Sequence, residues 1–476
     1  MKDYEGLDFF GEEESDGKER KRFNDEELAK ILKLEEDAQT NFDAENLEEI
    51  INFYFENNDF EKALSYVNVL LDIYPYSTDA WHKKALILDS LGKFDEALEY
   101  FDKAILLDPT DTEIFINKGI TLDNSEKFDL AIECFQGAIE KEPENIDAIF
   151  NMGLTYEKME KFVEAAQSFE SVLRIDKEHK DAYYELGYCF DFLDLLKESV
   201  NAYDNHLKYS PLNYTAWYNR GIVLNRMAKY YKAIESYEMC IAIRNNFASA
   251  WYNCGNAYAS VGRLHKAIEY YETSLQLRQN DPYSLHNLGN AYEELGEYDK
   301  AINYFSESIK LDPQNYESYY GRGNCYFNMK LFQEALEDFN SALILCKDHS
   351  EIWYLKADSE HVLDRPEDAI RSYEMVVKLD PLNSEAWHDL GCALLECRRL
   401  DEALDAFRKS IEINPDWGES YFELAKLYFL KEESKIGLIM LEEAFIKNPH
   451  ERFDYNFETD WRLVLNFLAK RLPVYS

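Results

Sequence analysis

Four carboxylates recur one every 34 residues in the first half of the chain: Asp89, Asp123, Glu157 and Asp191. Three residues before each stands an apolar side chain, Leu86, Ile120, Leu154 or Tyr188. A second acidic row keeps the same interval, with gaps, through Glu45, Asp79, Glu113, Asp147, Asp181, Glu317, Glu351, Glu385 and Glu419. An apolar stripe between two rows of carboxylates suits a basic segment, amphipathic or extended. Asparagines follow the period too, Asn117, Asn151, Asn219, Asn253 and Asn287 in one register and Asn256, Asn290 and Asn324 in another. An amide both donates and accepts, so such a row can pair with the backbone of an extended peptide whatever its sequence. The same amides can equally tie neighbouring helices together. The second acidic row has an ordinary reading as well, since acids in a first helical turn complement the macrodipole.

Reactive chemistry finds no comparable pattern. The sequence has no Gly-rich phosphate loop, no HExxH and no nucleophile elbow. His82, His286 and His388 share a register but stand six and then three periods apart, too far to bind one metal. Paired carboxylates carry little information in so acidic a chain. The eight cysteines are scattered without CxxC spacing, as reduced core thiols are. The expectation is a chain with no catalytic, cofactor-binding or metal-binding residues.

Charge narrows the partners. Against 51 Lys and Arg the 476 residues set 93 Asp and Glu, a formal net charge of −42. Such a chain is repelled by a phosphate backbone, because nucleic-acid binding draws on Lys and Arg that neutralise phosphates. Anionic membrane surfaces are disfavoured for the same reason. No stretch is apolar enough to insert in a membrane, and the first residues lack the apolar core of a secretory signal. These readings predict a cytoplasmic protein whose partner is a protein or peptide, most simply a basic one. Its oligomeric state is left open.

The elements that must position these rows follow from the period itself. Stepping by 34 from Trp81 visits Phe115, Ile149, Tyr183, Trp217, Trp251, Leu285, Tyr319, Trp353, Trp387 and Tyr421. Four residues further on the residue is tiny, as at Ala85, Gly119, Gly153, Gly187, Gly221 and Gly255. Another register reads Ala63, Ala97, Ala131, Ala165, Ser199, Ala233 and Ala267, usually with an aromatic four residues later, such as Phe101, Phe135 or Tyr203. Eight of the eleven prolines occupy one position near the end of the period. Twelve repeats tile 44–451 without insertion or deletion. Apolar spacing of i, i+3, i+4 and i+7 predicts two helices per repeat, over about positions 2–14 and 17–30.

This pattern resembles the tetratricopeptide repeat, which carries W-x2-L-G-x2-Y, then A-x3-F, then P; a close match runs from Leu285 as LHNLGNAYEELGEYDKAINYFSESIKLDP. The resemblance implies an all-α fold, a right-handed superhelical α-solenoid of tandem helix-turn-helix repeats. It further implies that the first helix of each repeat lines a concave groove, with positions 2, 5, 6, 9, 12 and 13 projecting into it. All the residues of the opening paragraph occupy such positions. Position 5 is never Lys and position 2 never basic, so the family's clamp for a C-terminal carboxylate is absent.

The resulting expectation is a non-enzymatic scaffold or adaptor that binds a basic or amphipathic peptide segment in its groove. Two rivals stay open: a chaperone-like protein that shields basic clients, and a regulatory subunit docking through its convex face. Outside the repeats, 1–23 reads as an acidic disordered tail in which Tyr4 to Phe10 resembles a short recognition motif. Residues 24–43 read as a helix with Leu28, Ile31 and Leu32 on one face, and 452–476 as a capping helix. Glu360, at a position otherwise apolar or Tyr, and Pro366 at the start of the following helix predict either a local polar contact or reduced stability in the tenth repeat.

Overall fold

The computed structural model describes residues 30–35 and 43–448; the tail, the motif from Tyr4 to Phe10 and the capping helix of 452–476 lie outside the described residues. From Ala44 to Lys447 the chain forms helices in strict alternation, 13 residues and then 14. The first pair is Ala44–Glu56 with Phe60–Ile73, and the twelfth is Gly418–Leu430 with Ser434–Lys447. Among the described residues there is no strand. The protein is an all-α solenoid in which, within each compact unit, pairs pack on their sequence neighbours.

Within a pair the spacing is set by a small residue against a ring. A Cβ added at Gly119 would lie 2.6 Å from Phe135, at Gly153 2.7 Å from Phe169, and at Gly289 2.6 Å from Phe305. These rings, from position 24, are fully buried. Ala97, Ala131, Ala165 and Ala267, at position 20, are fully buried too. Overpacking at either position must push two helix backbones apart.

The turn between the two helices has one geometry throughout. Position 15 adopts positive φ in every pair, as Gly at 92, 262 and 296 and as another residue type elsewhere, including Glu126 at 60° and Ala228 at 54°. The next N–H then reaches back to the carbonyl of position 11, as in Lys93 to Leu88 at 2.9 Å and Lys127 to Leu122 at 2.8 Å. This closes the first helix with a Schellman-type cap. At the other end, position 34 caps the following helix in eight pairs, through Ser77, Asp111, Asn145, His179, Asn213, Asp281, Asn315 or Asn383. The position-4 indoles secure the loop before them. Trp81, Trp217 and Trp353 each donate to the carbonyl six residues earlier at 2.9 Å.

The chain divides into two compact units, Met1–Met227 and Ala228–Ser476. In the first, residues 30–35 are helical and lie on pair 1: Ile31 is buried and Glu35 accepts from Tyr54 (2.7 Å) and Tyr66 (2.8 Å). Leu32 is exposed, a correction to the expected face, because Ile31 and Leu34 are the residues that pack on the core holding Leu47 and Ile50. Leu28 lies outside the described residues. In this unit first helices of successive pairs touch, Thr78–Ser90 on Thr112–Asn124, then Ile146–Lys158, then Lys180–Phe192, then Tyr214–Arg226. The second unit repeats the rule, with Ala248–Ser260 on Pro282–Glu294 and the latter on Tyr316–Asn328. Second helices of successive pairs make at most marginal contact. The first helices therefore form the inner row of each unit.

Two substitutions test this construction, read by amide exchange of the affected pair because long arrays do not unfold as one body. Ala267→Leu should destabilise pair 7 by about 1–3 kcal/mol. Ala228→Gly should stabilise its turn by roughly 0.4–1 kcal/mol, since alanine is strained at positive φ.

Candidate functional site

Positions 2, 5, 6, 9, 12 and 13, which the resemblance assigns to the groove, all lie on the first helices, the row whose members touch from pair to pair. Its apolar stripe is half-buried: Leu86, Ile120 and Leu154 lean on the core of their own pairs. Tyr188 lies against Phe192 at 4.8 Å and Phe162 at 6.3 Å between ring centroids. On one flank Asp79, Glu113, Asp147 and Asp181 are exposed, and among the described residues no ion pair reaches them.

The position-12 carboxylates are engaged differently. Asp123 accepts from Thr155 Oγ1 at 2.8 Å and pairs with Lys158. Asp191 pairs with Arg226, whose other Nη reaches Asp194 at 2.6 Å. In both cases the base comes from position 13 of the next pair, 35 residues on. The same offset recurs with the residue types exchanged where His361 Nε2 meets Glu396 at 3.1 Å. Position 13 opposite Asp89 is Asn124, and Asp89 Oδ1 is buried without a hydrogen-bond partner. Position 13 opposite Glu157 is Phe192, and Glu157 Oε2 is likewise buried and unpartnered.

The asparagines form a second set of links at the same 35-residue offset, from position 6 to position 5 of the preceding pair. Asn117 meets His82 at 2.9 Å, Asn219 donates to Tyr184 at 3.1 Å, and Asn287 donates to Tyr252 at 3.0 Å. Asn287 also reaches Asn256 at 2.9 Å, whose carbonyl accepts from Tyr271 at 2.8 Å. Asp389 replaces the amide later in the chain and accepts from Tyr354 at 2.5 Å. Asn151 has apolar Ile116 at the corresponding place and turns back to its own Asp147 carbonyl at 2.8 Å. Asn290 meets His286 at 2.9 Å, Asn324 hydrogen-bonds Glu293, and Asn253 is half-buried on the same row. Of the two readings open in the sequence, helix-to-helix tying describes Asn117, Asn219, Asn256 and Asn287.

Glu185 at position 6 also faces a missing partner, because position 5 before it is Phe150. It hydrogen-bonds Glu157 instead. Burial, then the neighbouring carboxylate, pushes Glu157 well above the usual glutamate range; burial and Asp181 push Glu185 up. Burial raises Asp191 as well, against the opposing pull of Arg226.

The three histidines serve as polar packing. His286 Nδ1 meets Ser318 at 2.9 Å and His388 Nδ1 meets Ser420 at 3.0 Å. Burial lowers His82 and His286 and takes His388 down to about 4, which keeps the imidazole neutral. Cys392 Sγ lies 3.5 Å from His388 Nε2, yet burial raises the thiol, the opposite of an activated nucleophile. Among the described residues no group of His, Cys, Asp and Glu could hold a metal ion, and no helix is long and apolar enough to cross a membrane. Glu360 is buried and accepts from Ser372 at 2.6 Å with Lys356 3.7 Å away, the local polar contact of the two expected outcomes.

Sequence models described as Tetratricopeptide repeat match residues 50–118, 116–177, 214–247, 246–314, 286–350 and 384–417. The chain belongs to the tetratricopeptide repeat family. No curated protein matches it. Among solved structures it is similar to YrrB, described as a TPR protein with an unusual peptide-binding site, at 24% identity over 39% of this chain and 95% of that one, TM-score 0.37. It is similar to the C-terminal part of a TPR repeat-containing protein from Cytophaga hutchinsonii, at 18% identity over 50% and 97%, TM-score 0.45. A third is the APC/C hetero-tetramer Cut9-Hcn1, at 15% identity over 94% of each chain, TM-score 0.36. In this tetratricopeptide repeat protein the inner-face links predict a specific loss. Arg226→Ala strips the base from Asp191, whose side chain is 13% exposed, and should cost about 1–3 kcal/mol at the junction of pairs 5 and 6. Faster amide exchange confined to Lys180–Phe192 and Tyr214–Arg226 is the expected readout.

Proposed function

We propose that this chain is a non-catalytic interaction scaffold that holds a basic, extended or amphipathic segment of a partner protein on the first-helix face of pairs 2 to 5. Protein–protein scaffolding is the general role of the family's arrays, and the finer reading rests on one observation. The exposed carboxylates Asp79, Glu113, Asp147 and Asp181 carry no ion pair among the described residues and run beside the half-buried stripe of Leu86, Ile120, Leu154 and Tyr188. Apolar contacts supply affinity and the free carboxylates supply charge selection and orientation. Asp123 and Asp191 already hold Lys158 and Arg226, so they shape the face more than they offer charge to a partner.

The test is capture of partners by the purified protein, followed by binding of the captured segment at rising salt. Charge reversal at Asp79, Glu113, Asp147 and Asp181 to Lys should abolish capture, whereas Asn and Gln at those places should weaken it. Salt should weaken wild-type binding as it screens the exposed row. Affinity unchanged by both reversal and salt removes this reading. One stoichiometric partner fits an adaptor, and many basic proteins fit a client-shielding role. At Asp123 and Asp191 the same reversal should instead loosen the junctions, by setting like charges against Lys158 and Arg226.

A further inference from the structure

The contact between pairs 4 and 5 departs from its neighbours in a way that has a chemical consequence. In the junctions on either side a position-12 carboxylate meets a base, Asp123 with Lys158 and Asp191 with Arg226. Here Phe192 takes the place of that base, and Phe150 takes the place of the polar residue that position 6 finds in the following junction, where Asn219 meets Tyr184. Glu157 on Ile146–Lys158 and Glu185 on Lys180–Phe192 are left to hydrogen-bond each other, with Glu157 Oε2 buried and unpartnered. Two carboxyl groups in hydrogen-bond contact need a proton between them, because a carboxylate only accepts.

We propose that the junction of pairs 4 and 5 is a proton-operated joint: one proton shared by Glu157 and Glu185 holds the two first helices together, and its loss to solvent sets two buried carboxylates against each other and loosens the contact. The surrounding groups leave the pair uncompensated. On the helix of Glu157 the nearby base is Lys158, already held by Asp123 of Thr112–Asn124. The helix of Glu185 contributes Asp181, Tyr184, Tyr188 and Cys189, and Leu196–Tyr209 contributes Tyr203. Phe162–Ile175 adds the Phe162 ring, stacked on Phe192 at 4.4 Å. From Tyr214–Arg226 the cation is Arg226, taken by Asp191 and Asp194. Tyrosine and cysteine here are raised by burial and stay neutral.

The sign follows from linkage. Both carboxyls bind their proton more tightly folded than unfolded, so the joint is firmest below the ordinary glutamate pKa and weakens as pH rises through the raised values. The inference is independent of the peptide-binding reading, and its test uses no partner. Amide exchange of the full chain is followed from about pH 5 to about pH 9, corrected for the intrinsic pH dependence of exchange. Protection within 146–158 and 180–192 should fall by up to about tenfold per pH unit across the transition, while protection within 112–124 stays level. Glu157→Gln and, independently, Glu185→Gln should flatten the profile, since an amide donates without titrating. Phe192→Lys, which restores the base of the neighbouring junctions, should flatten it too. A level wild-type profile, or a slope that survives in a folded Gln variant, overturns the joint.

Discussion

The approach of the position-24 ring to the small residue at position 8 sets the geometry of most helix pairs, with Val67 and Leu441 standing in place of the ring in pairs 1 and 12. With Gly119 opposite Phe135 and Gly289 opposite Phe305, the ring occupies the space a Cβ would take. The two backbones come as close as that ring allows, and the rows of outward side chains fall into register along the array. The Schellman-type turn contributes the second half of the constraint, because a fixed reversal at position 15 leaves the two helices a single relative phase. Local packing of this kind explains how one 34-residue pattern specifies each pair without reference to distant parts of the chain.

Junctions between pairs then differ through a few polar positions. Offsets of 35 residues recur because position 6 meets position 5 of the preceding pair and position 12 meets position 13 of the next. Contacts close where Asn219 meets Tyr184 and Asp191 meets Arg226, whereas Asp89 Oδ1 stays unpartnered opposite Asn124. Where one partner is apolar, the orphan turns elsewhere: Asn151 to its own helix, Glu157 to Glu185. The inner face is thus partly neutralised from within. What it offers outward is the exposed position-2 row and the apolar stripe beside it.

Most of the fold could be read from the sequence, because the signals that build it are local and periodic. The small residues, the rings after position 20 and the terminal prolines gave the helix pairs and their boundaries to within a residue. The turn was less legible: positive φ at position 15 is carried by glycine at only 92, 262 and 296, and Glu126 or Lys330 gives no such signal. The site was legible by position but not by state. Asp123 and Asp191 read as free acids because their bases stand 35 residues on, one off the repeat period, so stepping by 34 passes them by. Searching that offset would have found Lys158, Arg226 and the tyrosine–asparagine links.

First helices touch their successors while second helices scarcely do, and this makes each stack mechanically lopsided. Its inner rim is pinned by short polar ties that lengthen only by breaking. Its outer rim is fastened by exposed side chains such as Lys127 with Asp95 and Tyr270 with Glu238, while the second-helix backbones stay apart, so neighbouring pairs can fan apart there like pages turning on a spine. Bending should therefore be softer in one direction than in the other, so that the curvature of each stack can change while the spacing of its inner rows barely does.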